Sequence, residues 1–144
     1  QKDNPKLAPL RRAVDKNFEG YDGKPIEWVR ITKAPDYVYF DHSAHVNRGV
    51  SCFSCHGEIN KMEKVYHAKS MSMAFCLDCH RQPELHLRPL EEVYNLNYNA
   101  EDYLANNMIK NEDGERVTTQ EELGKLLKKN WSIHPKESCT TCHR

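Results

Sequence analysis

Apolar residues are spread thinly along the chain, and one stretch alone repeats them at a clear helical period. Leu123, Leu126 and Leu127 fall at i, i+3 and i+4, which makes one apolar stripe opposite Lys125, Lys128 and Lys129. Thr119-Gln-Glu-Glu122 just ahead has the form of a capping box, so a helix is expected to open there. Its three lysines read as a solvated face or, less simply, as an electrostatic docking patch. Asn111-Glu-Asp-Gly-Glu115 is a turn signal. Ile26-Glu-Trp28-Val-Arg-Ile31 and Tyr37-Val-Tyr-Phe40 are β-prone runs, expected to form a minor β ribbon. Residues 1–24 carry Pro5, Pro9 and several charges without regular apolar spacing, and predict an extended N-terminal arm that lies on a partner. Residues 25–144 read as one domain of mostly irregular chain and short α-helices, with a long insertion at 91–138.

Composition sharpens this picture. Apolar residues make up 38% of the 144 positions and the mean hydropathy is −0.85, which is poor material for a conventional core. Chains of this kind rely on disulfides, metals or cofactors. Lys plus Arg and Asp plus Glu number 21 each, so no net charge points to a nucleic-acid partner. No apolar run approaches the roughly 18 residues that span a membrane. The chain opens on Gln1 rather than Met, which leaves room for a signal peptide or membrane anchor ahead of it.

The six cysteines all stand in one repeated frame: Cys52-Phe-Ser-Cys55-His56, Cys76-Leu-Asp-Cys79-His80 and Cys139-Thr-Thr-Cys142-His143. C-x-x-C-H is the c-type haem attachment pattern. Two thiols two residues apart reach the two vinyl groups on one porphyrin edge and form thioethers. The adjoining histidine then reaches over the ring to the iron as proximal ligand, here His56, His80 and His143. A disulfide framework would not explain a histidine after every second cysteine. Zinc takes Cys and His in spaced pairs, and a histidine next to its cysteine closes a tetrahedron poorly. Three covalent haem c groups are the expected cofactors, and their apolar discs would supply the core that the side chains lack. Thioether attachment requires maturation on the outer side of the energised membrane, so a periplasmic or equivalent location is expected.

Three irons call for distal ligands. Outside the motifs stand His42, His45, His67, His86 and His134. His42 and His45 lie at i and i+3, one above the other on a helical turn, and can serve two neighbouring haems. For the third, Met73, His67 and His134 are the candidates; His86 reads as structural or exposed.

The run Phe40-Asp-His42-Ser-Ala-His45, followed closely by C-x-x-C-H, resembles the class III multihaem cytochromes c, including their three-haem members. The resemblance implies a haem core wrapped in short helices. It implies His42 on the haem of Cys52 and Cys55, and His45 on the haem of Cys76 and Cys79. From about residue 25 onward, Trp28-Val-Arg-Ile31, Pro35 to His42, Cys55-His-Gly57, Met71 to Arg81 and Leu87-Arg-Pro-Leu90 resemble the periplasmic multihaem subunit of alternative complex III, a quinol:electron-acceptor oxidoreductase. That subfamily carries Met at position 73, which implies Met73 as an axial ligand. Its partners would be iron–sulfur and haem subunits and quinol-oxidising membrane subunits.

The expected function is electron transfer, not catalysis by this chain itself. A free periplasmic shuttle is the first alternative, although the leader and the insertion favour a fixed subunit. A multihaem reductase is the second, and it would need an iron with an open distal side.

Overall fold

The computed structural model describes residues 4–143, in two units that divide between Arg30 and Ile31. The first unit departs from the extended arm expected for residues 1–24, of which 1–3 lie outside the described residues. Asn4 accepts a hydrogen bond from the Lys6 N–H and opens a 3₁₀ turn, Pro5–Leu7, that runs into helix α1, Ala8–Val14. Pro5 and Pro9 occupy first turns, where a missing N–H costs nothing. The prolines that read as breakers therefore act as starters. Arg11 pairs with Asp15 at 3.3 Å and lies over the Phe18 ring.

The second unit consists of short helices joined by turns: α2 (His42–Val46), α3 (Cys52–His56), α4 (Met73–Arg81), α5 (Ala100–Asn106), α6 (Gln120–Asn130) and α7 (Cys139–Cys142). The expected β ribbon is absent among the described residues, which hold isolated bridges and no strand. Tyr37–Phe40 takes its partner from the far end of the chain instead. Val38 bridges His143, and the Tyr39 N–H donates to the Cys142 carbonyl at 2.8 Å. Trp28 and Val29 are each 81% exposed, so the other β-prone run is not covered.

The apolar core lies inside the supposed insertion and just before it. Among the described residues, the buried aliphatic side chains are Leu87, Val93, Leu104, Val117, Leu123 and Ile133. Leu104 of α5, Val117 and Leu123 of α6 meet, flanked by Tyr103, Ile109, Leu126 and Leu127. The leucine stripe of α6 thus faces this cluster. Its helix opens as the sequence predicts, with Thr119 accepting from the Glu122 N–H and Glu122 accepting from Thr118 and Thr119. Those backbone donors hold the Glu122 carboxyl below its ordinary range.

Helix α6 is seated on the 3₁₀ turn Pro83–Leu85. Gly124 faces the Glu84 backbone, Lys128 pairs with the Glu84 carboxylate at 2.9 Å, and Gln120 Nε2 donates to the Leu87 carbonyl at 2.6 Å. By contrast, residues 31–86 and 134–143, which carry the three motifs, contribute no aliphatic side chain to this core. The motif-bearing chain is therefore held by turns and hydrogen bonds around a region with no hydrophobic interior of its own.

Candidate functional site

Each C-x-x-C-H motif sits on a short helix. Ser51 caps α3 by accepting from the Phe53 N–H, and Ser72 caps α4 by accepting from the Phe75 N–H. Helical spacing brings Cys52, Cys55 and His56 to one side of α3, and Cys76, Cys79 and His80 to one side of α4. Asp41 caps α2, accepting from both the Ser43 hydroxyl and its N–H, and these bonds lower the Asp41 pKa. This cap places His42 and His45 a single turn apart.

The two histidines of α2 face two motif histidines. The rings of His42 and His56 are 6.4 Å apart between centroids and nearly parallel, at 6°. Those of His45 and His80 are 6.1 Å apart at 39°. Imidazoles in direct face contact would be far closer. Two imidazoles joined end-on through one metal, at about 2 Å per metal–nitrogen bond, have centroids roughly 6.3 Å apart. Each pair is thus spaced widely enough to admit one metal ion between its rings.

The outer ring nitrogens fit the same arrangement. His45 Nδ1 meets the Asp41 carbonyl at 2.8 Å, and His80 Nδ1 meets the Lys136 carbonyl at 2.8 Å. A carbonyl only accepts, so each Nδ1 carries the proton and each Nε2 keeps its lone pair for a metal. Phe40 packs between the two sites, edge-on to His42 at 4.8 Å and tilted against His45 at 4.6 Å.

The cysteines are free thiols that crowd together. Burial, then the neighbouring Cys55 and Cys76, pushes Cys79 up to about 11. Burial raises Cys55 as well, with Cys76 and Cys52 adding to it. Burial also raises Cys76, helped by Cys142 of the third motif. Cys55, Cys76, Cys79 and Cys142 thus lie close enough to act on one another, which brings the three motifs near each other.

The third motif is built differently. His143 has Tyr37 beside it, with centroids 5.7 Å apart at 26°, in place of a second imidazole. Met73 opens α4 and is 67% exposed. It lies one turn from Cys76 on the same face of α4, and Cys76 is the cysteine that neighbours Cys142. Of the other candidates, His67 Nε2 is engaged by the Ile31 carbonyl at 2.5 Å. His134 is exposed beside Lys125, Lys128, Lys129 and Ser132. His86 is half-buried, and burial followed by the Lys69 charge lowers its pKa.

Two contributors were not legible from residue types. The Lys136 carbonyl is a backbone group with no signature in the sequence. Tyr37 and Val38 read as strand formers, yet they pin the third motif. Among the described residues no group of three or more His, Cys, Asp or Glu side chains gathers to hold a metal ion. A porphyrin, if attached, would supply four donors of its own, and His42 with His56 or His45 with His80 would be the residues to hold its iron. No protein-family model matches the chain, and no curated protein matches it significantly.

Proposed function

We propose that the chain is a periplasmic electron-transfer subunit that carries three covalently bound haem c groups, within a quinol:electron-acceptor oxidoreductase of the alternative complex III kind. The observation that carries this reading is the pair of facing imidazoles, His42 with His56 and His45 with His80, each at the separation of a bis-histidine iron. The haems supply reversible one-electron chemistry when bound. The residues of the chain attach them, through Cys52 and Cys55, Cys76 and Cys79, and Cys139 and Cys142, and set their axial ligands.

Met73 is the proposed distal ligand at His143. A Met/His pair has a higher potential than a bis-histidine pair, so electrons would collect at the third motif. Asp41 and Lys136 hold the histidine rings in the tautomer that ligation requires. Were each iron held by two residues of the chain, none would have a position for substrate, and the chain would carry electrons rather than catalyse. One observation favours the reductase alternative at a single site, namely the tyrosine beside His143.

The lysines of α6 do not form a free cationic patch. Lys125 pairs with Glu121, Lys128 with Glu84 and Lys129 with Glu112. Contact with iron–sulfur, haem and quinol-oxidising membrane subunits is therefore assigned elsewhere, and the exposed Trp28 and Val29 are the apolar candidates. No nucleic acid is involved. Isolated from native membranes in mild detergent, the chain is expected to elute with membrane subunits. Recovery solely as a soluble monomer would favour the free shuttle.

A further inference from the structure

Behind α3 lies a cavity of about 370 Å3, lined by Phe53, Lys69, His86, Arg88, Tyr98 and Gln120 among others. Its size falls within the usual range of small-molecule sites, about 300–1,000 Å3. Three of its lining residues are basic and none is acidic. Arg88 is fixed in the wall. Its guanidinium lies 4.5 Å above the Tyr98 ring and 5.7 Å from the Phe53 ring, and Nη1 donates to the Ser51 hydroxyl and the Asn95 carbonyl. Both bonds come from one nitrogen and both go to neutral acceptors. Among the described residues Arg88 forms no ion pair, and Nη2 and Nε have no partner. Lys69 is likewise without a polar partner among the described residues.

A half-buried guanidinium, an ammonium and an imidazole in one concavity oppose each other. Burial, then the Lys69 charge, lowers the His86 pKa, while burial alone lowers that of Arg88, against Tyr98, Glu92 and Cys52, which raise it. A guanidinium with open N–H groups is the usual partner of carboxylates and other planar oxyanions. The aromatic faces of Phe53 and Tyr98 give the remaining wall an apolar side.

We propose that this cavity, with Arg88, Lys69 and His86 as the cationic wall, binds a small carboxylate or oxyanion. The ligand is a free one. At about 100° per helical residue, Ser54 points away from Cys52 and His56, whereas Phe53 lies only about 60° from His56. Cys52 is near enough to act on the Arg88 charge, so the titration is made on the chain with its motifs as they occur natively and reads a ligand in addition to any group they hold.

Calorimetric titration of the full chain at constant ionic strength, with succinate and with inorganic phosphate as probes, tests the site. Saturable one-to-one binding of either anion is expected. Arg88→Gln should weaken it about tenfold or more, as for a lost charge-assisted hydrogen bond. Because Arg88 also holds Ser51 and Asn95, Lys69→Met is the second variant, exposed and structurally unengaged, and it should weaken binding about threefold. Lys110→Met, outside the lining, should leave binding unchanged. Absence of saturable binding by the native chain overturns the proposal. So does an equal loss in Lys69→Met and Lys110→Met, which would mark general charge attraction.

Discussion

Replacing His42 or His45 with alanine is expected to open one haem to carbon monoxide while the haem count stays at three. The native reduced protein should bind none. In His42→Ala the site opposite His56 opens, and in His45→Ala the site opposite His80, because each substitution removes one ring of a facing pair. Phe40 is the neighbour left behind in both cases, and a phenyl ring cannot ligate iron. On the proposed reading the cysteines and the motif histidine are untouched, so the haem should stay in place. Each variant should show one high-spin, five-coordinate haem in its magnetic spectra, and the double variant two. Met73→Ala should do the same at the third motif. If the native protein already takes up one carbon monoxide per chain, the third site is open and the reductase reading applies there. If His42→Ala and His45→Ala bind none, the axial assignment fails.

Gly124→Ala is expected to destabilise the second unit severely, although alanine is the better helix former. A Cβ at this position would lie 1.8 Å from the Glu84 carbonyl oxygen, 2.6 Å from its carbon and 2.7 Å from its Cα. All three are backbone atoms and cannot rotate aside. The gain in helix propensity is about 1 kcal/mol. The overpacking cost is about 3 kcal/mol, or more where backbone must shift, so the clash wins. Helix α6 would lift from the Pro83–Leu85 turn and strain the Lys128–Glu84 pair and the bond from Gln120 to Leu87. Gly114→Ala is the control. It stands at φ +81° with no atom within 4 Å of the added carbon, so it carries only the left-handed backbone penalty, about 1 kcal/mol. Denaturant unfolding of both variants measures the difference. A Gly124→Ala protein as stable as the native one would show that α6 does not seat on this turn.

How much of this was readable in advance depended on how local the determining interactions are. The start of α6 is written in four consecutive residues, Thr119 to Glu122, and the helix begins there. The short helices at the first two cysteine motifs are equally local, each capped by a preceding serine, Ser51 and Ser72. The arm misled because Pro5 and Pro9 break a helix in its interior but start one in its first turn. The β ribbon failed because Tyr37–Phe40 pairs with residues a hundred positions away, in the last motif. For the same reason the segment 91–138, which read as an insertion, turned out to carry most of the apolar core. Periodicity marks which residues are apolar, and not which part of the chain they cover.

The candidate site divides along the same line. His42 and His45 were legible because one helical turn sets their relation. That they face His56 and His80 depends on where the fold sets α2 relative to α3 and α4, beyond anything in residue spacing. The third distal ligand was least legible, since it must cross from one motif helix to another. In the structure His67 meets the Ile31 carbonyl and Met73 stands exposed on the Cys76 face of α4.

The mass of the denatured, reduced native protein reports whether the three motifs carry covalent groups. The expected mass is the 16.8 kDa chain plus three haem groups, retained through denaturation and thiol reduction, with no cysteine left for alkylation. A mass equal to the bare chain with six alkylatable cysteines would contradict it, and would return the cysteines to zinc or disulfides.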